Sequence, residues 1–140
     1  MGRPRNGRRV LVATDQPHCP IAALDHAAAV AGQGGEVVLA SVVVVPVTQP
    51  LDAQLDRPIS RACEVLEDAE EVARSRGGAF DTRLVRARSF AKGVMQTLAG
   101  EPFDMVVLER GRDPQRNDGA GQTEAIVEKA DTTVVVVRPA

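Results

Sequence analysis

The chain contains no tryptophan and no tyrosine, and only three phenylalanines. It therefore lacks the aromatic platforms on which single-strand nucleic-acid binders stack successive bases, and its core has to be aliphatic. Cysteine is nearly absent: Cys19 and Cys63 stand alone, without a C-x-x-C pair or clustered histidines, so neither a disulfide framework nor a zinc site is indicated. Both read as buried or incidental thiols. No apolar stretch approaches the roughly 20 residues needed to cross a bilayer, because Val37 to Val47 is interrupted by Ser41 and stopped by Pro46. Met1 to Arg9 is basic, but the apolar run after it is short and has no small-residue cleavage pattern, unlike a secretory signal. A cytoplasmic protein with no membrane partner is expected.

A large excess of either charge is missing as well. The formal net charge is -2, which offers no large basic field to neutralise nucleic-acid phosphates, so bulk nucleic acid is not an expected partner. Arg3, Arg5, Arg8 and Arg9 are a local exception, readable as a phosphate-seeking arm or, more simply, as a solubilising tail over residues 1–8. Catalytic constellations are also missing: there is no Gly-x-Ser-x-Gly elbow, no Walker A loop and no HExxH pair. His18 and Cys19 are adjacent, but sequence neighbours seldom face each other as base and nucleophile, and no orienting third residue is visible. His26 falls on a helical segment beside Ala27 to Ala29, where it packs or meets solvent. No reaction is evident.

What is present suits one soluble domain: 140 residues, 44% hydrophobic and 26% charged. Val-rich runs alternate with helix-like Ala, Leu and Glu segments, and no Pro/Gly-rich linker divides them. The pattern predicts strands at Arg9 to Thr14, Glu36 to Val45, Asp81 to Ala87, Asp104 to Leu108 and Thr133 to Arg138. The second, nearly unbroken in β-branched residues, reads as a parallel strand covered on both faces. In the third, Leu84 alternates with an outward Arg83, as on an edge strand. Helices are predicted at about Ile21 to Ala31, with Pro20 in its first turn, and at Ile59 to Arg76, where Ala62, Val65, Leu66, Ala69 and Val72 form one stripe. Two more are predicted, one N-capped by Ser89 and running through Leu98, the other from Thr123 to Ala130. Right-handed crossovers then give an α/β fold, a doubly wound open sandwich with five parallel strands and four helices on both faces.

Two segments end apolar runs with polar, turn-forming residues: Arg9 to Asp15 closes on Ala13-Thr14-Asp15, and Asp104 to Leu108 opens onto a loop, Glu109 to Gln122. In an open parallel sheet a ligand sits beyond the carboxyl ends of the strands, where the winding reverses. If these strands are neighbours, Asp15 faces the glycines Gly111, Gly119 and Gly121, and the segment Gly119 to Thr123 can offer backbone amides and a helix N-terminus to an anion, with Thr123 as cap. The simpler reading is a solvated loop. Asp15 likewise has two readings, a ligand acceptor or a carboxylate favouring the start of a helix.

In order, Arg9 to Asp15 ending in Ala-Thr-Asp, Ala22-Ala23-Leu24, Asp104 to Leu108, and Glu124 to Pro139 make the chain resemble the universal stress protein family over nearly all of Arg9 to Ala140. The resemblance implies the strand order 3-2-1-4-5 and a domain spanning residues 9–140. It implies a regulatory role in the stress response and an adenine nucleotide, ATP or AMP, as ligand. Asp15 would then accept from a ribose hydroxyl or an adenine amine, Ala13 and Thr14 would flank the base, and Val42 and Val43 would form its apolar wall. Leu108, Gly111, Gly119, Gly121, Gln122 and Thr123 would line the phosphate side. ATP-binding members carry a glycine pair and then Gly-Ser or Gly-Thr after the fourth strand. Here Glu109 and Arg112 stand at the pair and Ala120-Gly121 at the end, a broken pattern in which a carboxylate opposes phosphate. The resemblance also implies a homodimer paired through Thr133 to Arg138. Three functions remain open: a nucleotide-binding regulator, an interaction module without nucleotide, and a slow ATP hydrolase.

Overall fold

The structure, a computed structural model, describes residues 7–110 and 118–139, with the backbone alone for 118–120. The chain runs β1 (Arg9–Thr14), α1 (Ile21–Ala31), β2 (Glu36–Val44), α2 (Asp56–Arg76), β3 (Ala79–Ala87), α3 (Phe90–Gly100), β4 (Met105–Glu109), α4 (Asp118–Lys129) and β5 (Thr133–Val137). All five strands pair in parallel, in the order β3-β2-β1-β4-β5. This is the architecture expected from the sequence pattern and the strand order that the resemblance implies.

Side-chain alternation along the strands divides the interior into two layers. Val10, Val12, Leu39 and Val107 meet Ala23, Leu24 and Ala27 of α1 and Val65 and Ala69 of α2 on one face. On the other, Leu11, Ala13, Val38, Val106 and Leu108 meet Phe90 and Val94 of α3 and Ile126 of α4. Small helix residues let the helices lie close to β-branched strands, which is how an interior almost without aromatics still fills. The three central strands are covered on both faces and read as continuous hydrophobic runs, as buried parallel strands do.

The elements begin where local chemistry allows, and the starts of α2, β3 and α4 differ most from expectation. α2 starts at Asp56 rather than Ile59; Pro58 falls in its first turn, where its missing N–H would have had no helical partner. β3 starts two residues early, at Ala79. Its Arg83 is not turned to solvent but ion-paired with Glu101 and Asp81, while Leu84 is the exposed one. α4 starts at Asp118, not Thr123, so Gly119 and Gly121 lie inside a helix. α3 has the expected cap, Ser89, whose hydroxyl accepts from the Lys92 N–H at 3.2 Å. Gly77 caps α2 with a φ of 75°, which a side chain would strain.

At the amino-terminal edge of the sheet, Arg8 is bonded into the domain through both main-chain groups: its N–H donates to Ala31 O and its carbonyl accepts from Glu36 N, each at 3.0 Å. The arginines at positions 3 and 5 lie outside the described residues. Among the described residues, no helix is long and apolar enough to cross a membrane.

Candidate functional site

The winding reverses between β1 and β4, which are hydrogen-bonded neighbours with Ala13 opposite Leu108. From β1 the chain turns onto the face of α1 and α2; from β4 it leads to α4 on the opposite face. Connections that diverge in this way leave a crevice at the carboxyl ends of the strands. Asp15 stands on its rim, directly after the last residue of β1. Local bonds orient it: the buried Thr14 hydroxyl accepts from the Gln16 N–H at 3.1 Å, and the Gln16 side-chain amide donates to Asp15 Oδ1 at 2.9 Å.

α1 has no side-chain cap from its own start, because Pro20 occupies the cap position, and its first turn carries no acidic residue. The acceptor comes from the adjacent connection instead. Glu109, the last residue of β4, places Oε2 3.2 Å from the Ala23 N–H, where a carboxylate meets both an unpaired amide and the positive end of the helix dipole. On the opposite face, Gln122 of α4 does the same for α3, its Oε1 accepting from the Ala91 N–H at 2.9 Å. These two side chains tie the end of β4 and the first turns of α4 to the starts of two other helices.

Cys19 sits half-buried against the α1 layer. Burial pushes its thiol pKa up, and the Asp68 and Glu109 carboxylates add to that against an opposing Arg76. A thiol kept protonated by apolar and anionic surroundings is a poor nucleophile, and His18 beside it is exposed. Among the described residues, no group of three or more His, Cys, Asp or Glu could hold a metal ion.

The sequence-predicted residues divide accordingly. Ala13, Thr14, Val42, Val43 and Leu108 are buried at or near the carboxyl ends of their strands, and Asp15 is half-buried on the rim. Val42 packs toward Ala87, Phe90 and Val94, and its neighbour Val43 points to the opposite face by strand alternation, so the two do not form one wall. Gly111 lies outside the described residues. Gly119 and Gly121 are helical rather than loop, and Thr123 is an interior helix residue rather than a cap, because α4 opens at Asp118. Gln122 is at the rim, but its amide oxygen is bonded to α3. The role of Glu109 was missed as a helix cap. Its signal was a helix start with Pro20 and no Ser, Thr, Asp or Asn at the cap, which requires an acceptor from elsewhere.

The sequence matches the Universal stress protein family over residues 7–138. No curated protein matches it. Among solved structures, a universal stress protein from Archaeoglobus fulgidus is similar at 19% identity, covering 93% of this chain and 98% of that one, with a TM-score of 0.71. The universal stress protein UspA from Lactobacillus plantarum is similar at 18% identity over 97% and 100%, with a TM-score of 0.65. A universal stress protein solved in complex with cAMP is similar at 14% identity over 96% and 99%, with a TM-score of 0.64. At these identities the likeness is one of fold.

Proposed function

The chain belongs to the universal stress protein family, and from that premise we propose that it is a regulatory domain of the stress response that binds an adenine nucleotide at the β1–β4 switch point. The observation that carries the reading is Asp15, a carboxylate on the rim of the crevice and immediately beyond a buried strand. A carboxylate there accepts from a ribose hydroxyl or an adenine amine, and a charge-assisted bond of this kind is worth more than a neutral one. Gln16, already bonded to Asp15, gives way or stays as a second polar contact. That a universal stress protein of the same fold is in complex with cAMP supports an adenine ligand.

Calorimetric titration of the protein and of its Asp15→Ala variant with AMP and ATP tests the reading. We expect saturable heat from the unaltered protein and a loss of affinity of about tenfold or more in the variant, the scale of one hydrogen bond to a charged group. No heat with either ligand would leave the second reading, an interaction module. One observation favours that alternative: β5 ends the sheet, hydrogen-bonded to β4 alone, with Val134 to Val137 only half-buried.

A further inference from the structure

The reading of an adenine ligand leaves open how much of the nucleotide the crevice accepts, and the rim itself bears on this. Helix N-termini are a fold's main supply of unpaired amides and positive dipole ends for phosphate. At this rim the starts of α1 and α3 already have acceptors. The start of α1 holds the Glu109 carboxylate on Ala23, and the start of α3 holds the Gln122 amide oxygen on Ala91 and the Ser89 hydroxyl on Lys92. Asp15 adds another carboxylate on the same rim.

We infer that Glu109 is a specificity-determining residue, its carboxylate standing where a phosphate chain would be received, so that the crevice takes a nucleoside or nucleoside monophosphate in preference to a triphosphate. The inference rests on the adenine reading above. A triphosphate would have to displace the Glu109 carboxylate from Ala23 or lie beside it, and like charges repel more beside a half-buried carboxylate than in bulk water. A neutral ribose meets no such barrier. Electrostatic exclusion of this kind fades with added salt, because the rim is open to screening ions.

Titration with adenosine, AMP and ATP, of the unaltered protein and of Glu109→Gln, tests this directly. Glutamine keeps an oxygen for the Ala23 N–H while removing the charge, and a thermal melt establishes that the variant is folded. ATP is expected to bind at least about tenfold more weakly than AMP to the unaltered protein, and Glu109→Gln to narrow that ratio by about tenfold, the scale set by a single nearby charge. Raising the salt should narrow it in the unaltered protein too, which needs no variant. ATP binding as tightly as AMP, or a ratio moved neither by the substitution nor by salt, would overturn the inference while leaving the adenine reading standing. No binding of any of the three would overturn both.

Discussion

Arg9 opens β1 with its guanidinium engaged on several sides. Nε donates to Glu36 at 2.8 Å, one terminal nitrogen to Glu101 at 2.7 Å and the other to the Pro102 carbonyl at 2.8 Å, with the Phe103 ring centre 4.4 Å away. Arg83 grips the same Glu101 carboxylate with two nitrogens, at 2.9 and 2.8 Å, so one acid joins the start of β1, the edge strand β3 and the end of α3. Arg83 and then Arg9 hold the Glu101 pKa at about 2, against an ordinary value of 4.5, and Arg83 also lowers that of Asp81. Because the folded value lies below the unfolded one, the stabilisation is complete above pH 4.5 and is lost as the pH falls toward about 2. Glu101→Gln should therefore lower the melting temperature at neutral pH, by the equivalent of about 1 kcal/mol for a partly exposed, screened network. The two melting curves should converge as the solution is acidified through that window. A difference that stays constant with pH would show that packing, not charge, is what the substitution removed.

Two glycines on different helices give opposite expectations. Gly93 of α3 lies against β2: a Cβ there would stand 2.7 Å from Val42 Cγ1 and 3.1 Å from Cγ2, and a buried valine has little freedom to move aside. Gly93→Ala should cost about 1–3 kcal/mol as overpacking, read as a lower denaturant midpoint with an unchanged slope. A Cβ on Gly121 would meet nothing within 4 Å. In the interior of α4, Gly121→Ala should stabilise by about 0.5–1 kcal/mol, the helix propensity difference; a destabilised variant would mean that the glycine is needed for a loop. The same contrast explains what the sequence disclosed. β2, the stripe of α2 and the Ser89 cap were readable because period and cap chemistry agree there. The start of α4 was not, because glycine is only a weak argument against helix once Ile126 is anchored in the core. The strand order came from the family resemblance rather than from periodicity. Asp15 was legible as the polar residue ending a buried strand, whereas the Glu109 and Gln122 contacts span 86 and 31 residues of sequence and no local pattern encodes them.

The two edges of the sheet are unlike, and the difference bears on the whole molecule. β3 carries Asp81, Arg83 and Arg86, charges that discourage another strand from adding to it. β5 carries four consecutive valines, Val134 to Val137, each half-buried and packed inward from one helical layer or the other. An uncharged edge with one row of unpaired backbone groups is a template for pairing, and a two-fold axis beside it would satisfy both copies without leaving an open end. On this basis the protein is expected to sediment as a dimer, and Val135→Asp to sediment as a monomer, since a carboxylate at mid-strand would be desolvated in the paired sheet. Val135 also packs against the α1 layer, so the variant needs a folded circular dichroism spectrum for the result to count. Val137→Lys, at the end of the strand where a long side chain can reach water, supplies a milder version of the same test. Monomeric sedimentation of the unaltered protein, or a dimer untouched by either substitution, would remove β5 as the contact.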